Sequence, residues 1–395
     1  VTLRKALRQL SRTDVSFDID RYRKWFLRYN TQAGTRAPGL FASPSVIVIG
    51  ALDIPQCKKY RVMQKVEYFS ALSIPCEYTE YRDLTRAFSG MQLATVAILY
   101  RVPMGLEYEA LKQEAARLGL PLYYDIDDPI FDEATHRDNR NLDVLSARER
   151  EHLLAQIPGY KRVMEDVGRV IVSTTGMSER VRSATNVDTV IVWPNLIDSA
   201  TQNIFEQLPP RNTGAREHIA LGYFSGSRAH DLDLDLVAGV LAKLLQSDSR
   251  LQLYLGGYTS LPASLSDLGD RITFLGFMSY HAYLEHLAAM DIHIVPLLID
   301  RFNACKSGIR YLEASMCTVP TVASSVGQFT EMIEDGVTGF LCNTPEDWQQ
   351  ALTELTENPQ RRLEMAQAAR RSVLASYSLS NERYNTLAGD IIDVA

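Results

Sequence analysis

Short runs of apolar residues, each the length of a β-strand, alternate along most of this chain with stretches whose apolar positions recur every three to four residues. The runs fall at 45–51, 76–81, 95–101, 120–128, 169–175 and 189–195, and again at 219–227, 251–257, 271–277, 292–298, 319–325 and 339–342. Near-continuous apolarity, as in VIVIG or TVAILY, marks strands buried on both faces of a sheet. Between them, helices are expected at 62–72, 105–118, 146–167 and 176–183, then at 233–245, 280–290, 308–315, 328–334, 345–355, 360–377 and 381–392. Periodicity is lost from 198, where Pro209, Pro210, Asn212 and Gly214 cluster, and an interdomain linker is placed at 201–217. The fold class is therefore α/β. Two doubly wound parallel-sheet domains, at 41–200 and 218–377, face a cleft, with a helical extension at 1–40 and a last helical segment at 378–395. In such sheets ligands bind beyond the carboxyl ends of the strands, so two facing sheets leave a site between them.

The 395 residues, 46% hydrophobic, suffice for two cores. No apolar run approaches the ~18 residues of a membrane span, and Arg4, Lys5 and Arg8 precede no apolar stretch, so no leader is expected. Five cysteines, odd in number and without CxxC spacing, read as reduced thiols in a cytoplasmic setting. A net charge of −7 argues against nucleic acid as a partner. Residues 1–40 run the other way, with nine Lys and Arg against three Asp. There Tyr22, Trp25, Phe26 and Tyr29 predict an amphipathic helix over 19–29, suited to docking on the first domain or to peripheral contact with a membrane or an adjacent module. GxSxG, HExxH and GxxxxGK[ST] are absent, and His230, His281, His286 and His293 lack metal-ligand spacing. His293, inside an apolar strand, is expected to be a buried histidine.

The most distinctive stretch is 302–342, FNACKSGIRYLEASMCTVPTVASSVGQFTEMIEDGVTGFLC. Lys306, Ser307 and Gly308 fall where a loop after a strand opens a helix. Backbone N–H groups and a cation there suit a phosphate, although a solvated lysine explains the same pattern. Arg310 adds a second cation, and Arg228, in the loop with Gly226, a third. Glu313 has the chemistry to accept from two adjacent hydroxyls, or to pair with a neighbouring cation on a helix surface. In the first domain Asp125, Asp127, Asp128 and Asp132 close a strand. Such acids can bind a divalent cation, position sugar hydroxyls or act as a base; capping and turn formation around Pro129 would use them equally well. Lys58, Lys59 and Arg61 are placed near a helix start facing the cleft, where they suit an acidic acceptor or are simply solvated.

Together with Leu275-Gly-Phe277, Ala289-Met-Asp291-Ile-His-Ile-Val-Pro296 and the strand and loop from Gly222 through Arg228 and His230, the 302–342 stretch resembles the donor-binding core of family-four glycosyltransferases. The resemblance covers 220–375 well and 45–197 more loosely. It implies the GT-B fold, two Rossmann-like domains, and transfer with retention from a nucleotide sugar to an oligosaccharide or lipid-linked acceptor. The implied setting is bacterial-type surface polysaccharide synthesis by a metal-independent hexosyl- or deoxyhexosyltransferase, with no cofactor beyond the donor substrate, in the cytoplasm or at the inner membrane face. It further implies catalytic roles for Lys306, Arg228, Asp127 and Asp128, the two acids contacting sugar hydroxyls. Donor contacts are implied at Glu313, which would take the ribose, and at Gly226, Ser307, Gly308, Ile309, Arg310, Phe277 and Met278. The last helix would return to the first domain. Cys57-x-x-Tyr60-Arg61 is similar to the opening of these enzymes' N-terminal domains. The departure is Cys305, which stands where the family often has a glutamate on the transferred sugar; Asn303 or backbone amides are expected in its place. That departure keeps a donor-incompetent scaffold module in view, beside a GT-B-fold sugar-nucleotide epimerase. The DxD pattern alone points to the single-domain, metal-binding glycosyltransferase fold, which would need one Rossmann-like domain rather than two.

Overall fold

The computed structural model describes residues 43–208, 218–226 and 231–392. The basic extension with its expected helix, the 209–217 stretch, and Ser227, Arg228 and His230 lie outside the described residues.

Each expected apolar run forms a strand. In the first domain these are β1 (Val46–Gly50), β2 (Cys76–Glu80), β3 (Val96–Tyr100), β4 (Leu122–Ile126), β5 (Arg169–Val172) and β6 (Thr189–Val192). In the second they are β7 (Ile219–Ser225), β8 (Leu251–Gly257), β9 (Ile272–Gly276), β10 (Ile292–Val295), β11 (Thr321–Ser324) and β12 (Phe340–Cys342). All pairings within both sheets are parallel. The orders are β2-β1-β3-β4-β5-β6 and β12-β11-β10-β7-β8-β9. Strand order reverses beside β1 in one sheet and beside β7 in the other, the two switch points where α/β sheets bind ligands.

The two-residue period of each strand divides the cores. Ile47 and Ile49 pack with Met91, Leu111, Val163 and Val181 of the helices on one face. Val46 and Val48 pack on the other with Phe69, Trp193, Leu387 and Ile391. The second domain repeats the scheme: Leu221 and Tyr223 face Leu241 and Leu352, while Ala220 and Phe224 face Leu287, Leu312 and Val373. This two-sided burial is why these strands read as unbroken apolar runs.

The chain crosses between domains twice at one place. Ile197 N–H donates to the Tyr377 carbonyl at 2.8 Å and Leu379 N–H to the Ile197 carbonyl at 2.9 Å. After this crossing the helix Thr386–Ile392 packs on the first domain, where Tyr123 Oη donates to the Asp390 carbonyl at 3.1 Å. Burial of Leu387 and Ile391 contributes on the order of 1.5–3 kcal/mol each to that docking.

Several helical segments among the described residues depart from the sequence expectation. Glu133–Asp138, Arg140–Val144 and Ala263–Arg271 had no assignment. Residues 201–207, assigned to the linker, belong to the helix Ser199–Gln207, whose cap is Asp198 accepting from Thr201 N–H at 2.7 Å. Phe205 on it packs into the second domain, a contact the flanking prolines gave no hint of. The helix Leu84–Leu93 had no assignment; it buries only Ala87 and Met91, and Gly90 interrupts its pattern. The last helix is preceded by a separate turn of 3₁₀ helix at Glu382–Tyr384. No helix among the described residues is long and apolar enough to cross a membrane.

Candidate active site between the two sheets

Parallel pairing brings the carboxyl ends of β1, β3, β4 and β6 together on one edge of the first sheet. The acidic run that closes β4 divides there by depth. Asp125 is fully buried: its Oδ1 accepts from Arg61 Nε at 3.0 Å and Nη2 at 2.9 Å, and Lys65 pairs with its other oxygen. Arg61 also donates to the Trp193 carbonyl at 2.7 Å and to Asn195 Oδ1 at 3.0 Å. Burial, reinforced by the neighbouring Arg61 charge, pushes the Lys65 ammonium down to about 8 in spite of Asp125. This network ties the strand ends together and leaves nothing for a ligand.

Asp127 and Asp128 lie further out and share one cation, Arg101. Its Nε donates to Asp127 Oδ1 at 2.6 Å and its Nη2 to Asp128 Oδ2, while Tyr100 Oη donates to Asp127 at 3.0 Å. Arg101 holds a left-handed backbone, φ 47°, rare outside glycine and strained, fixed by its N–H on the Asp125 carbonyl at 3.0 Å. Sequence reasoning passed over Arg101. The signal was there, in a cation directly after β3 whose neighbouring strand, with Tyr100 opposite Asp125, ends in the acids.

From the second domain, Lys306 Nζ donates to Asp128 Oδ1 at 2.8 Å and lies 4.8 Å from the Phe302 ring centre. Burial alone would raise the Asp128 pKa. The Lys306 and Arg101 charges outweigh it and hold the carboxylate well below its ordinary range. Lys306 thus faces the gap, at the start of the helix Ile309–Met316. Of its neighbours, Ser307 Oγ accepts from Asn195 Nδ2 at 3.1 Å across the gap, and the Gly308 N–H donates to Gln328 Oε1 at 2.9 Å. Ile309 opens the helix half-buried. Arg310 Nη1 is buried without a hydrogen-bond partner, and burial, helped by the Arg310 charge, pushes His293 down to about 3, so that histidine is neutral.

Glu313, one turn into the same helix, is wholly buried and sits in a cage of phenols. Oε1 accepts from Tyr60 Oη of the first domain at 2.6 Å and Oε2 from Tyr283 Oη at 2.8 Å; Tyr280 Oη lies 3.2 Å from Tyr60 Oη. Burial raises its pKa against the pull of these hydrogen bonds. Gly226, exposed directly after β7, lies towards Gln56 of the first domain. Phe277, 63% exposed, stacks on Tyr258, 51% exposed, with ring centres 5.0 Å apart. Gly257 and Gly276, each with positive φ, precede the two aromatics; Met278 follows, half-buried.

Two local expectations are corrected, for the basic cluster and Asn303, while Cys305 stands as the departure it was read to be. The basic cluster does not face the gap as a unit: Arg61 is buried on Asp125, Lys59 pairs with Asp198 and Thr201, and Lys58 lies over Tyr78. Asn303 is spent on its own turn, donating to the Leu298 carbonyl at 2.9 Å. Cys305 is buried against the first domain, with Sγ 3.7 Å from the Gly176 carbonyl, and burial raises its thiol to about 12. A neutral thiol facing carbonyls does not substitute for a carboxylate.

The Lys59–Asp198 pair yields a pH prediction. Burial opposes ionisation of Asp198, but Lys59, Thr201 and Gln64 hold its pKa below the ordinary 3.8. The unfolded chain then binds more protons below that value, so the stabilisation is complete above pH 3.8 and is lost as pH falls through the folded value. Asp198→Asn should be less stable than the native chain in denaturant titrations at neutral pH, and the gap should close in acid. A gap independent of pH would refute the assignment.

Two parallel six-stranded α/β domains with a charged site between their carboxyl edges define the GT-B glycosyltransferase fold. Residues 220–358 match the family model described as glycosyl transferases group 1. It is similar to D-inositol 3-phosphate glycosyltransferase of Kineococcus radiotolerans, 28% identical over 250 residues, covering 55% of this chain and 56% of the relative. The namesake of Rhodococcus jostii is 25% identical over 282 residues, covering 62% and 60%. The chain thus spans little more than half the length of the curated relatives it matches. Among solved structures, Anabaena HepE in complex with UDP superposes with a TM-score of 0.62 at 14% identity, covering 87% of this chain and 100% of that one. Sucrose-phosphate synthase of Thermosynechococcus elongatus gives 0.59 at 15%, covering 89% and 100%. These likenesses concern the fold.

Proposed function

We propose that this protein is a retaining glycosyltransferase that moves a hexosyl or deoxyhexosyl group from a nucleotide sugar to an oligosaccharide or lipid-linked acceptor in surface polysaccharide synthesis. The observation that carries this reading is the meeting of Lys306, just before the helix Ile309–Met316 of the matched domain, and Glu313, on that helix, with Asp128 and Tyr60 of the other domain. A diphosphate at Lys306 and a ribose at Glu313 would lie along that helix and its N-terminus, where amide dipoles and a cation favour negative charge. The bond from the sugar's anomeric carbon to the diphosphate breaks as the acceptor oxygen bonds to the same face, and the acceptor proton passes to the departing phosphate oxygen. Lys306, with Arg228 and Arg310, receives the charge that develops on the diphosphate, and no metal is required. Asp127 and Asp128, both paired with Arg101, accept from sugar hydroxyls. Closure of the domains excludes water and limits donor hydrolysis. The work is placed in the cytoplasm, with the basic segment 1–40 lying against the inner membrane face or an adjacent module.

Thermal unfolding of the full chain with a panel of nucleotide sugars tests the reading. At 100 times its dissociation constant, a ligand specific to the folded state adds about 2.7 kcal/mol. One nucleotide series should raise the melting temperature, and incubation of the best member with saccharide acceptors should release nucleoside diphosphate. No stabilisation by any member would favour a scaffold module, and an isomerised sugar nucleotide as sole product would favour an epimerase.

A further inference from the structure

A fully buried glutamate needs its hydrogen-bond partners, because an ionised carboxylate without them is among the costliest groups to bury. Glu313 meets this need with two phenols of different origin. Tyr283 belongs to its own domain, on the helix Tyr280–Ala288. Tyr60 comes from the first domain, on the π-helical turn Lys58–Met63, and makes the shorter bond. Two O–H donors, one on each carboxylate oxygen, present what the two hydroxyls of a ribose would present. Lys306 shows the same substitution: the group on its ammonium is a first-domain carboxylate, Asp128, where a diphosphate would stand. Both donor-binding candidates of the second domain are thus satisfied by first-domain groups that resemble the donor's own.

We propose that Tyr60 is an internal competitor for the donor's ribose, so that nucleotide binding exchanges the Tyr60–Glu313 bond for ribose–Glu313 bonds and releases the first domain at that contact. The inference rests on the assignment of Glu313 to the ribose. The exchange is feasible because Tyr60 has a second partner in Tyr280 Oη at 3.2 Å, and because a π-helical turn, longer by one residue than an α-turn, can rewind. Asp128 keeps Arg101 when Lys306 turns to a diphosphate, so the acid is not stranded either. Tyr60 therefore sets donor affinity without touching the donor.

The test is calorimetric titration of the native chain, Tyr60→Phe and Glu313→Gln with UDP, GDP and ADP. Tyr60→Phe keeps the ring packing and removes the competing hydroxyl, so the preferred nucleotide should bind about tenfold more tightly, the scale of one hydrogen bond to a charged group. Glu313→Gln should weaken it. If Glu313→Gln weakens binding while Tyr60→Phe leaves it unchanged or weaker, the competitor role fails and the ribose assignment stands. If Glu313→Gln leaves affinity unchanged, or no nucleotide binds any of the three proteins, the ribose assignment itself fails. Hydrogen exchange on the native chain serves independently of either variant's folding. Saturating nucleotide should speed exchange over residues 58–63, and unchanged or slower exchange there overturns the proposal.

Discussion

Lys306→Ala should lower the rate of nucleotide-sugar turnover at least ~100-fold, the usual loss when one preorganised partner of a developing anion is removed. Lys306 Nζ is held between the Phe302 ring and Asp128, three residues before the helix Ile309–Met316 begins. A diphosphate gains negative charge as it leaves, so the loss should fall mainly on turnover and less on donor affinity. Nucleoside diphosphate release under saturating donor, beside calorimetric affinity for the same donor, separates the two. A rate within about threefold of the native chain would remove Lys306 from the mechanism. The variant also leaves Asp128 paired with Arg101, so its fold should be retained.

Arg61→Ala should destabilise the first domain by roughly 3–5 kcal/mol, the loss expected when one member of a buried ion pair is deleted. The guanidinium ties three strands together at once, binding Asp125 near the end of β4 and both Trp193 and Asn195 after β6 from the helical segment that follows β1. Removal leaves a carbonyl and an amide oxygen without their donor and Asp125 with Lys65 alone. Arg61→Lys should rescue little, since an ammonium lacks the planar fork that serves these directions together. Denaturant unfolding followed by the fluorescence of Trp193, which packs in this core, reads the first domain. A loss below about 1 kcal/mol would show that the network does not hold the strand ends.

Much of this architecture was legible because burial on both sheet faces is a local signal. Strand-length runs gave the twelve strands among the described residues, and the order of runs and helices gave the two domains. The edge strands β2, which reads CEYTE, and β9, largely exposed, are not buried on both faces. The helix at Leu84–Leu93 was missed because only Ala87 and Met91 mark its buried face, and that at Ser199–Gln207 because prolines beyond its end dominated the reading. Lys306, Glu313, Asp127 and Asp128 were singled out by the resemblance and their places beyond strand ends, and they do lie at the facing edges. Arg101 escaped notice because its role depends on a left-handed turn and on an acid 26 residues away in sequence.

The sequence by itself determined which segments are buried, and hence the parallel layers and the edge at which chemistry can gather, since apolar periodicity is written residue by residue. Only the tertiary structure decided which charge meets which. Asp125 went to Arg61 and Lys65, Asp128 to Arg101 and Lys306, and Glu313 to a tyrosine 253 positions away. Pairing depends on distance through space, and four acids in one short run look alike until the fold places each at a different depth.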